Sequence, residues 1–257
     1  MYQEKLRLDQ RVAIITGGAQ NIGLCCAEAL AEFGAHVVLA DLDLDRAAQS
    51  AGELRAKGYT ASHVGMDVTS MKSVEDAVSA VEQEYGKIDI LVASAGLCVS
   101  EVKAEDVPEG QWLKQIDINL NGMFRSCQAV GRVMLRQGSG SIVAIGSMSG
   151  LIVNRPQQQA AYNASKAGVH QYIRSLAAEW APSGIRVNAV APTYIETTLT
   201  RFGMEKPALY DRWIDGTPMG RVGQPDEVAS VVQFLASDAA SLMTGAIVNV
   251  DAGFTVW

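Results

Sequence analysis

Arg11-Val-Ala-Ile-Ile-Thr16, running into Gly17-Gly-Ala-Gln-Asn-Ile-Gly23, decides the fold. The first six residues are an apolar run without alternation, which reads as a strand buried on both faces. An amphipathic helix from Leu24 to Phe33 follows the glycines, and Gly34 closes it. His36 to Ala40 is a second buried strand, ending at Asp41. Strand, glycine-rich turn, helix, strand and acid, in that order, make a dinucleotide-binding unit. Small residues in the turn let backbone N–H groups approach a pyrophosphate, whose charge the helix N-terminus favours. Gly17, Gln20, Asn21, Ile22 and Gly23 are the candidate cofactor residues there. Asp41 is placed to bind a ribose diol, and its carboxylate would repel a 2′-phosphate. Leu42-Asp43-Leu44-Asp45 adds negative charge before the first cation, Arg46. The cofactor expected is therefore NAD, with Leu42 beside it. Asp43 fits the N-cap of the next helix better than Asp41 does.

The alternation continues to the end of the chain. Helices are expected over Ala47–Lys57, Ser73–Tyr85, Val107–Arg136, Ala160–Trp180 and Pro225–Ala236. Strands are expected over Tyr59–Met66, Ile88–Ala93, Ser141–Ile145, Ile185–Ala191 and Ala246–Val250. Asp67 and Val68, after the third strand, would flank an adenine. Ser94-Ala95-Gly96, after the fourth, lets a cofactor pass close to backbone. Seven strands alternating with helices, without linker or repeat, indicate one α/β domain over residues 1–257. It would be a doubly wound Rossmann domain, a seven-stranded parallel sheet with helices on both faces. Leu97–Val107 and Thr193–Gly220 break the rhythm after strand C-terminal ends, and the second reads as a substrate lid.

Composition narrows the partners. Hydrophobic residues make up 48% and charged residues 19%, enough for a sizeable core in 257 residues. A net charge of −7 argues against nucleic acid and anionic membrane as partners. No apolar run has the length of a membrane span. Met1–Gln10 lacks an apolar signal core, so a cytoplasmic protein is expected. Cys25, Cys26, Cys98 and Cys127 form no C-x-x-C pair and read as reduced thiols. His36, His63 and His170 are too scattered for a metal motif, and no metal is expected.

Tyr162-Asn-Ala-Ser-Lys166 carries a phenol and an ammonium at helical i, i+4 spacing, so both point the same way. A free Tyr has a pKa near 10, so only about one in a thousand is ionised at pH 7. A nearby cation favours the phenolate; a shift of about three units needs roughly 4 kcal/mol. A fixed ammonium and the positive ring of a nicotinamide are expected to supply it, making the phenol an acid–base group.

Taken together, these motifs resemble the short-chain dehydrogenase/reductase family over essentially the whole chain. Thr16-Gly17-x-x-x-Asn21-Ile22-Gly23 resembles its glycine motif, with Asn21 where the family has glycine. Asn tolerates left-handed backbone angles better than most residues. Ala93-Ser94-Ala95-Gly96 stands where Asn-Asn-Ala-Gly is usual, and Thr193 where glycine is common. The resemblance implies a tetrad of Asn119, Ser147, Tyr162 and Lys166. Tyr162 would move the hydroxyl proton and Ser147 would hold the carbonyl oxygen, with Ser149 its rival. Lys166 would bind the nicotinamide ribose, and Asn119 would anchor a proton-relay water. Pro192, Thr193, Ile195 and Thr197 fall where the family contacts the nicotinamide.

The stretch Gly150-Leu-Ile-Val-Asn-Arg-Pro-Gln-Gln-Gln-Ala-Ala161, with Thr217-Pro-Met-Gly-Arg221 and Gly253-Phe-Thr-Val-Trp257, resembles polyol dehydrogenases of that family. Ser149, Asn154 and Tyr194 join Ser147 and Tyr162 as candidate substrate residues, with the glutamines as further hydroxyl partners. The expected activity interconverts a polyol and its ketose. The alternatives are a 3-oxoacyl thioester reductase, for which Arg125, Arg132 and Arg136 offer a basic patch, and a non-catalytic cofactor-binding regulator. The resemblance also implies a homotetramer, and Trp257 is expected at a subunit interface or near a pocket.

Overall fold

β1 (Val12–Thr16) pairs in parallel on both edges, with β2 (His36–Asp41) and with β4 (Ile90–Ala93). This computed structural model describes residues 1–256. β3 (Ala61–Gly65), β5 (Gly140–Ile145), β6 (Ile185–Pro192) and β7 (Ile247–Val250) complete a seven-stranded sheet in the order β3-β2-β1-β4-β5-β6-β7. Every pairing is parallel. The chain winds outward from β1 to β3, then returns to the other side of β1 as β4. That reversal opens a crevice at the strands' C-terminal ends, where such sheets bind ligands.

The helices are α1 (Tyr2–Leu6), α2 (Asn21–Glu32), α3 (Leu44–Ala56), α4 (Met71–Tyr85), α5 (Glu109–Ile116), α6 (Gly122–Gln137), α7 (Ala160–Trp180), α8 (Arg201–Met204), α9 (Pro207–Asp215) and α10 (Pro225–Ala236). They cover both faces of the sheet. Along β1, Ala13 and Ile15 enter the core shared with α2, α3 and α10. Val12 and Ile14 enter the core shared with α4, α6 and α7. Burial on both faces is the reason for the unbroken apolar run. A third cluster joins Met148, Tyr194, Leu209, Trp213 and Val222 and lies over the ligand end.

Local chemistry sets the element ends. Asp43 caps α3, accepting from the Arg46 N–H at 3.0 Å. Gln224 and Glu227 form a reciprocal cap on α10, with Pro225 in its first turn. Several expected boundaries move, including the starts of α3 and α4 and both ends of β3, and two changes bear on the site. α2 begins at Asn21, not Leu24, so the glycine motif itself makes the first helical turn. The helical region expected over Val107–Arg136 is interrupted by a π-helical segment, Asp117–Asn121. Such wide turns recur at functional sites, and this one carries Asn119.

Backbone crowding explains the turn. Gly17 has φ +64°, and a Cβ there would lie 2.9 Å from the Ala95 Cα. A Cβ on Gly23 would overlap the Gly17 carbonyl oxygen. Asn21 adopts φ +50° without being glycine, as its side chain permits. Gly23→Ala should therefore cost about 1–3 kcal/mol of stability, by forced overpacking. Gly52→Ala on α3, where only the Arg55 guanidinium tip comes within 4 Å, should instead gain about 0.5–1 kcal/mol. Thermal denaturation of the two variants checks the opposite signs.

Candidate active site

One face of α7 meets the turn after β5. Lys166 Nζ donates to the Ile145 carbonyl at 2.8 Å and stands 5.7 Å from the centroid of the Tyr162 ring. Tyr162 and Lys166 thus share a face, as their spacing required. The Ser147 hydroxyl accepts from the Ser149 N–H at 3.1 Å and approaches the Tyr162 hydroxyl closely enough to pull its pKa down. Ser149 is turned elsewhere: its hydroxyl accepts from Gln159 Nε2 at 3.2 Å. Of the two serines, Ser147 is the one close enough to act on the phenol.

Asn119 is 1 % exposed and ties three elements together. Its Oδ1 accepts from the Leu97 N–H at 2.7 Å, and its Nδ2 donates to the Leu97 carbonyl at 2.8 Å and Ser165 Oγ at 3.0 Å. The π-helical turn thereby holds the strand-end loop against α7.

The protein alone sets the starting electrostatics of this pair. Lys166 does not by itself make Tyr162 acidic. Burial pushes the Tyr162 pKa above its ordinary value, and the Ser147 contact opposes this only in part. Burial also lowers Lys166, to about 8. Desolvation is the largest cause of both shifts, because the phenolate and the ammonium both leave water.

All the other candidate residues meet in one cavity of about 570 Å³ at the C-terminal ends of β1 and β4. Gly17, Gln20, Asn21, Ile22 and Gly23 line one end with Asp41, Leu42, Asp67 and Val68. Ser94, Ala95, Gly96, Tyr162, Lys166, Pro192, Thr193, Ile195 and Thr197 line the middle, and Ser149, Asn154 and Tyr194 the far end. A dinucleotide fits this surface. The turn has no room for Cβ atoms, the first turn of α2 holds no acid, and Thr193 Oγ1 is buried without a partner among the described residues. The Asp41 carboxylate is held at the rim by the Ala19 and Asp43 N–H groups, at 3.0 and 3.1 Å. Thr16 Oγ1 accepts from the N–H groups of Ser94 and Ala95, at 3.1 and 3.2 Å. That bond steadies the turn lacking the usual asparagines.

The far wall is a closed polar network. Asn154 Nδ2 and Gln157 Nε2 both donate to the Tyr194 hydroxyl, at 3.2 and 2.9 Å. Gln159 Nε2 also reaches Asn154 Oδ1 at 2.9 Å and Asn163 Oδ1 at 3.0 Å. The amides expected to grip a substrate are largely engaged within the protein, and they leave the Tyr194 proton without an acceptor among the described residues. Trp213, from α9, stacks on the Tyr194 ring with centroids 4.0 Å apart and planes 8° apart. Its Nε1 donates to Gln157 Oε1 at 3.1 Å. Phe254 meets the same ring edge-on at 5.5 Å. Trp213, Phe202 and Cys98 line the cavity but carry no motif, so nothing in their local sequence marked them. The Cys98 thiol is pushed up to about 12 by burial. All four cysteines are free.

One surface reading also resolves. Arg125, Arg132 and Arg136 pair with Asp117, Glu75 and Glu82, at 2.8, 2.9 and 2.6 Å, so they present no unpaired basic patch. Trp257 lies outside the described residues. Among the described residues no three potential ligands cluster around a metal position, and no helix is long and apolar enough to cross a membrane.

A family model described as Enoyl-(Acyl carrier protein) reductase matches residues 17–255. The chain is 52% identical to a galactitol 2-dehydrogenase of Rhizobium johnstonii, covering 100% of this chain and 99% of that one. The crystal structure of gox2181 superposes with a TM-score of 0.99 at 78% identity, covering 100% of both chains. A gluconate 5-dehydrogenase from Burkholderia cenocepacia J2315, solved with NADP and tartrate, superposes at 0.96 with 36% identity and the same full coverage.

Asn21 also reaches across the cavity mouth. Its Nδ2 donates to Thr198 Oγ1 at 2.8 Å, and its Oδ1 accepts from the Thr198 N–H at 3.2 Å. The residue replacing a glycine thus fastens the segment after β6 to the turn after β1. Asn21→Gly keeps the backbone angle and deletes both bonds. Limited proteolysis within residues 197–206 should then run about two- to tenfold faster, in line with roughly 0.5–1.5 kcal/mol for lost hydrogen bonds. An unchanged cleavage rate would show that the bonds do not hold the segment.

Proposed function

The chain belongs to the short-chain dehydrogenase/reductase family, and on that premise we propose an NAD-dependent dehydrogenase that interconverts a secondary alcohol of a polyol and the corresponding ketose. The observation that carries this reading is the placement of the Tyr162–Ser147 pair beside a wall of hydrogen-bonding groups. A bound nicotinamide dinucleotide supplies the site that takes or returns the hydride. Gly17 to Gly23 would hold its pyrophosphate, Asp41 its adenosine ribose, and Thr193 its nicotinamide end. Ser147 would donate to the reacting oxygen and stabilise it as charge develops. Tyr162 would take the carbinol proton or return it. Burial keeps Tyr162 protonated in the protein alone, so the acid form serves ketose reduction directly. Alcohol oxidation requires the phenol to give up that proton. Lys166 would bind the nicotinamide ribose, and Asn119 would hold the water through which protons leave.

Hydrogen-bond accounting supports a polyhydroxylated substrate. Tyr194 accepts two amide N–H groups, so its own proton points to an acceptor outside the protein network. A second oxygen on the substrate, beside the reacting carbon, provides that acceptor. The relative named as a galactitol 2-dehydrogenase accords with this choice. The thioester reading loses its main support, because the three arginines are neutralised by acids. NAD is preferred on Asp41, although a structural neighbour was solved with NADP. Exposed Trp112 and Phe124 on α5 and α6 support a homotetramer, and the free thiols accord with a reducing cytoplasm. The segment 193–220 serves as the substrate lid.

Absorbance assays with NAD and a panel of polyols should show reduction of the dinucleotide. Tyr162→Phe should lower turnover by about 10²–10⁴-fold while NADH binding persists. Reduction of an acetoacetyl thioester with NADPH, without polyol oxidation, would overturn the reading. No turnover at all would favour the regulator.

Asp41→Ser should reduce the preference for NAD over NADP by at least about tenfold, equivalent to roughly 1.4 kcal/mol. Comparing kcat/KM for the two dinucleotides measures it. An unchanged ratio would remove Asp41 as the selector.

A further inference from the structure

His170 lies one helical turn beyond Lys166 on α7 and is 2 % exposed. Tyr162, Lys166 and His170 are spaced four apart, so all three line one face of the helix. That face lies along the turn from Ile145 to Gly150, and each of the three touches it. Tyr162 approaches the Ser147 hydroxyl, Lys166 holds the Ile145 carbonyl, and His170 meets the Ser147 main chain. The Ser147 N lies 3.4 Å from His170 Nε2. A main-chain N–H only donates, so Nε2 carries the lone pair and Nδ1 the proton.

The turn is moulded around this ring. A Cβ on Gly150 would lie 2.7 Å from both Nδ1 and Cε1, and a Cβ on Gly146 would overlap Nε2. The two glycines of Gly146-Ser-Met-Ser-Gly150 therefore leave the space the imidazole fills. Nδ1 is buried and has no hydrogen-bond partner among the described residues. An orphaned buried N–H costs free energy, and a leucine would fill a similar space without that cost. Packing alone does not account for a histidine here, whereas an acceptor at Nε2 does. The ring is neutral at pH 7: burial, then the charges of Lys166 and Arg174, lower its pKa to about 4.

We infer that His170 is a positioning residue for Ser147: its Nε2 fixes the Ser147 main chain and so directs the Ser147 hydroxyl at Tyr162. The inference rests on the reading that Ser147 holds the reacting oxygen. A misplacement of about 1 Å at a reacting group lowers rates by about 10²-fold, so a loose turn would show in turnover and not in cofactor affinity.

Two experiments decide it. The chain has three histidines, so ¹⁵N-histidine NMR is tractable, and His170→Gln identifies the signal of interest. At pH 7 the His170 ring should be neutral with the proton on Nδ1; a proton on Nε2, or a charged ring, overturns the geometry. In kinetics with any alcohol the wild type oxidises, His170→Leu should lower kcat by about tenfold or more, with KM for the dinucleotide unchanged. His170→Gln, whose amide oxygen can accept from the Ser147 N–H, should recover most of that loss. Wild-type kcat in the Leu variant, or equal losses in the Leu and Gln variants, overturns the inference. A wild type that oxidises no alcohol overturns the functional reading instead, and the tautomer still decides the His170 geometry.

Discussion

The docking of α7 onto the turn after β5 is the contact on which the site depends. A rigid helix and the end of a central strand meet through side chains that are buried and directional. Lys166 reaches a carbonyl, Tyr162 a hydroxyl and His170 a main-chain N–H. None of these contacts survives a rotation of the helix or a shift of the strand end. The parallel pairing of β5 with β4 and β6 therefore matters for chemistry as well as stability. It fixes where Ile145 ends and where Ser147 begins.

The burial that makes this contact precise also sets its electrostatics. A phenol and an ammonium held apart from water do not simply stabilise each other's charge. Tyr162 moves up and Lys166 moves down, to about 8, because each loses its hydration. A positive group arriving in the cavity would then act in a region of low dielectric, where charges interact more strongly than in water. In the proposed reaction the acidity of Tyr162 would belong to the assembled complex, with Lys166 as a contributor to it.

Much of this was readable from residue order. The run from Arg11 to Gly23 and the acid at Asp41 prescribe a strand, a crowded turn and a rim carboxylate, because backbone sterics leave few alternatives. Asn21 in a left-handed conformation follows from the same sterics. Local reasoning could not reach contacts between distant segments. The second function of Asn21, its bonds to Thr198, needs the segment after β6 folded across the turn. Trp213 reaches the cavity only because α9 lays it on Tyr194. The π-helical turn at Asp117–Asn121 has no propensity signature, since its wide spacing answers to Asn119 binding Leu97 and Ser165. The scatter of the three histidines along the chain speaks only to metal binding, a question to which the position of His170 is irrelevant.

The polar wall shows how a pocket can be selective while its amides are already satisfied. Asn154, Gln157 and Gln159 spend hydrogen bonds on each other, on Ser149 and on Tyr194, which fixes their orientation before any ligand arrives. Preorganised groups lose little conformational freedom on binding. Trp213 adds rigidity by holding the Tyr194 ring in a parallel stack and Gln157 by its Nε1. The network therefore offers a ligand few free groups, and the Tyr194 proton is one of them. A ligand with an oxygen in the right place satisfies it. A ligand without one leaves that proton buried and unpaired, at a cost of about 1–3 kcal/mol. Discrimination of that size, roughly 5- to 150-fold, would arise from what the protein withholds as much as from what it offers, and in the proposed reaction it would favour a hydroxylated chain over an apolar one without a charged group in the wall.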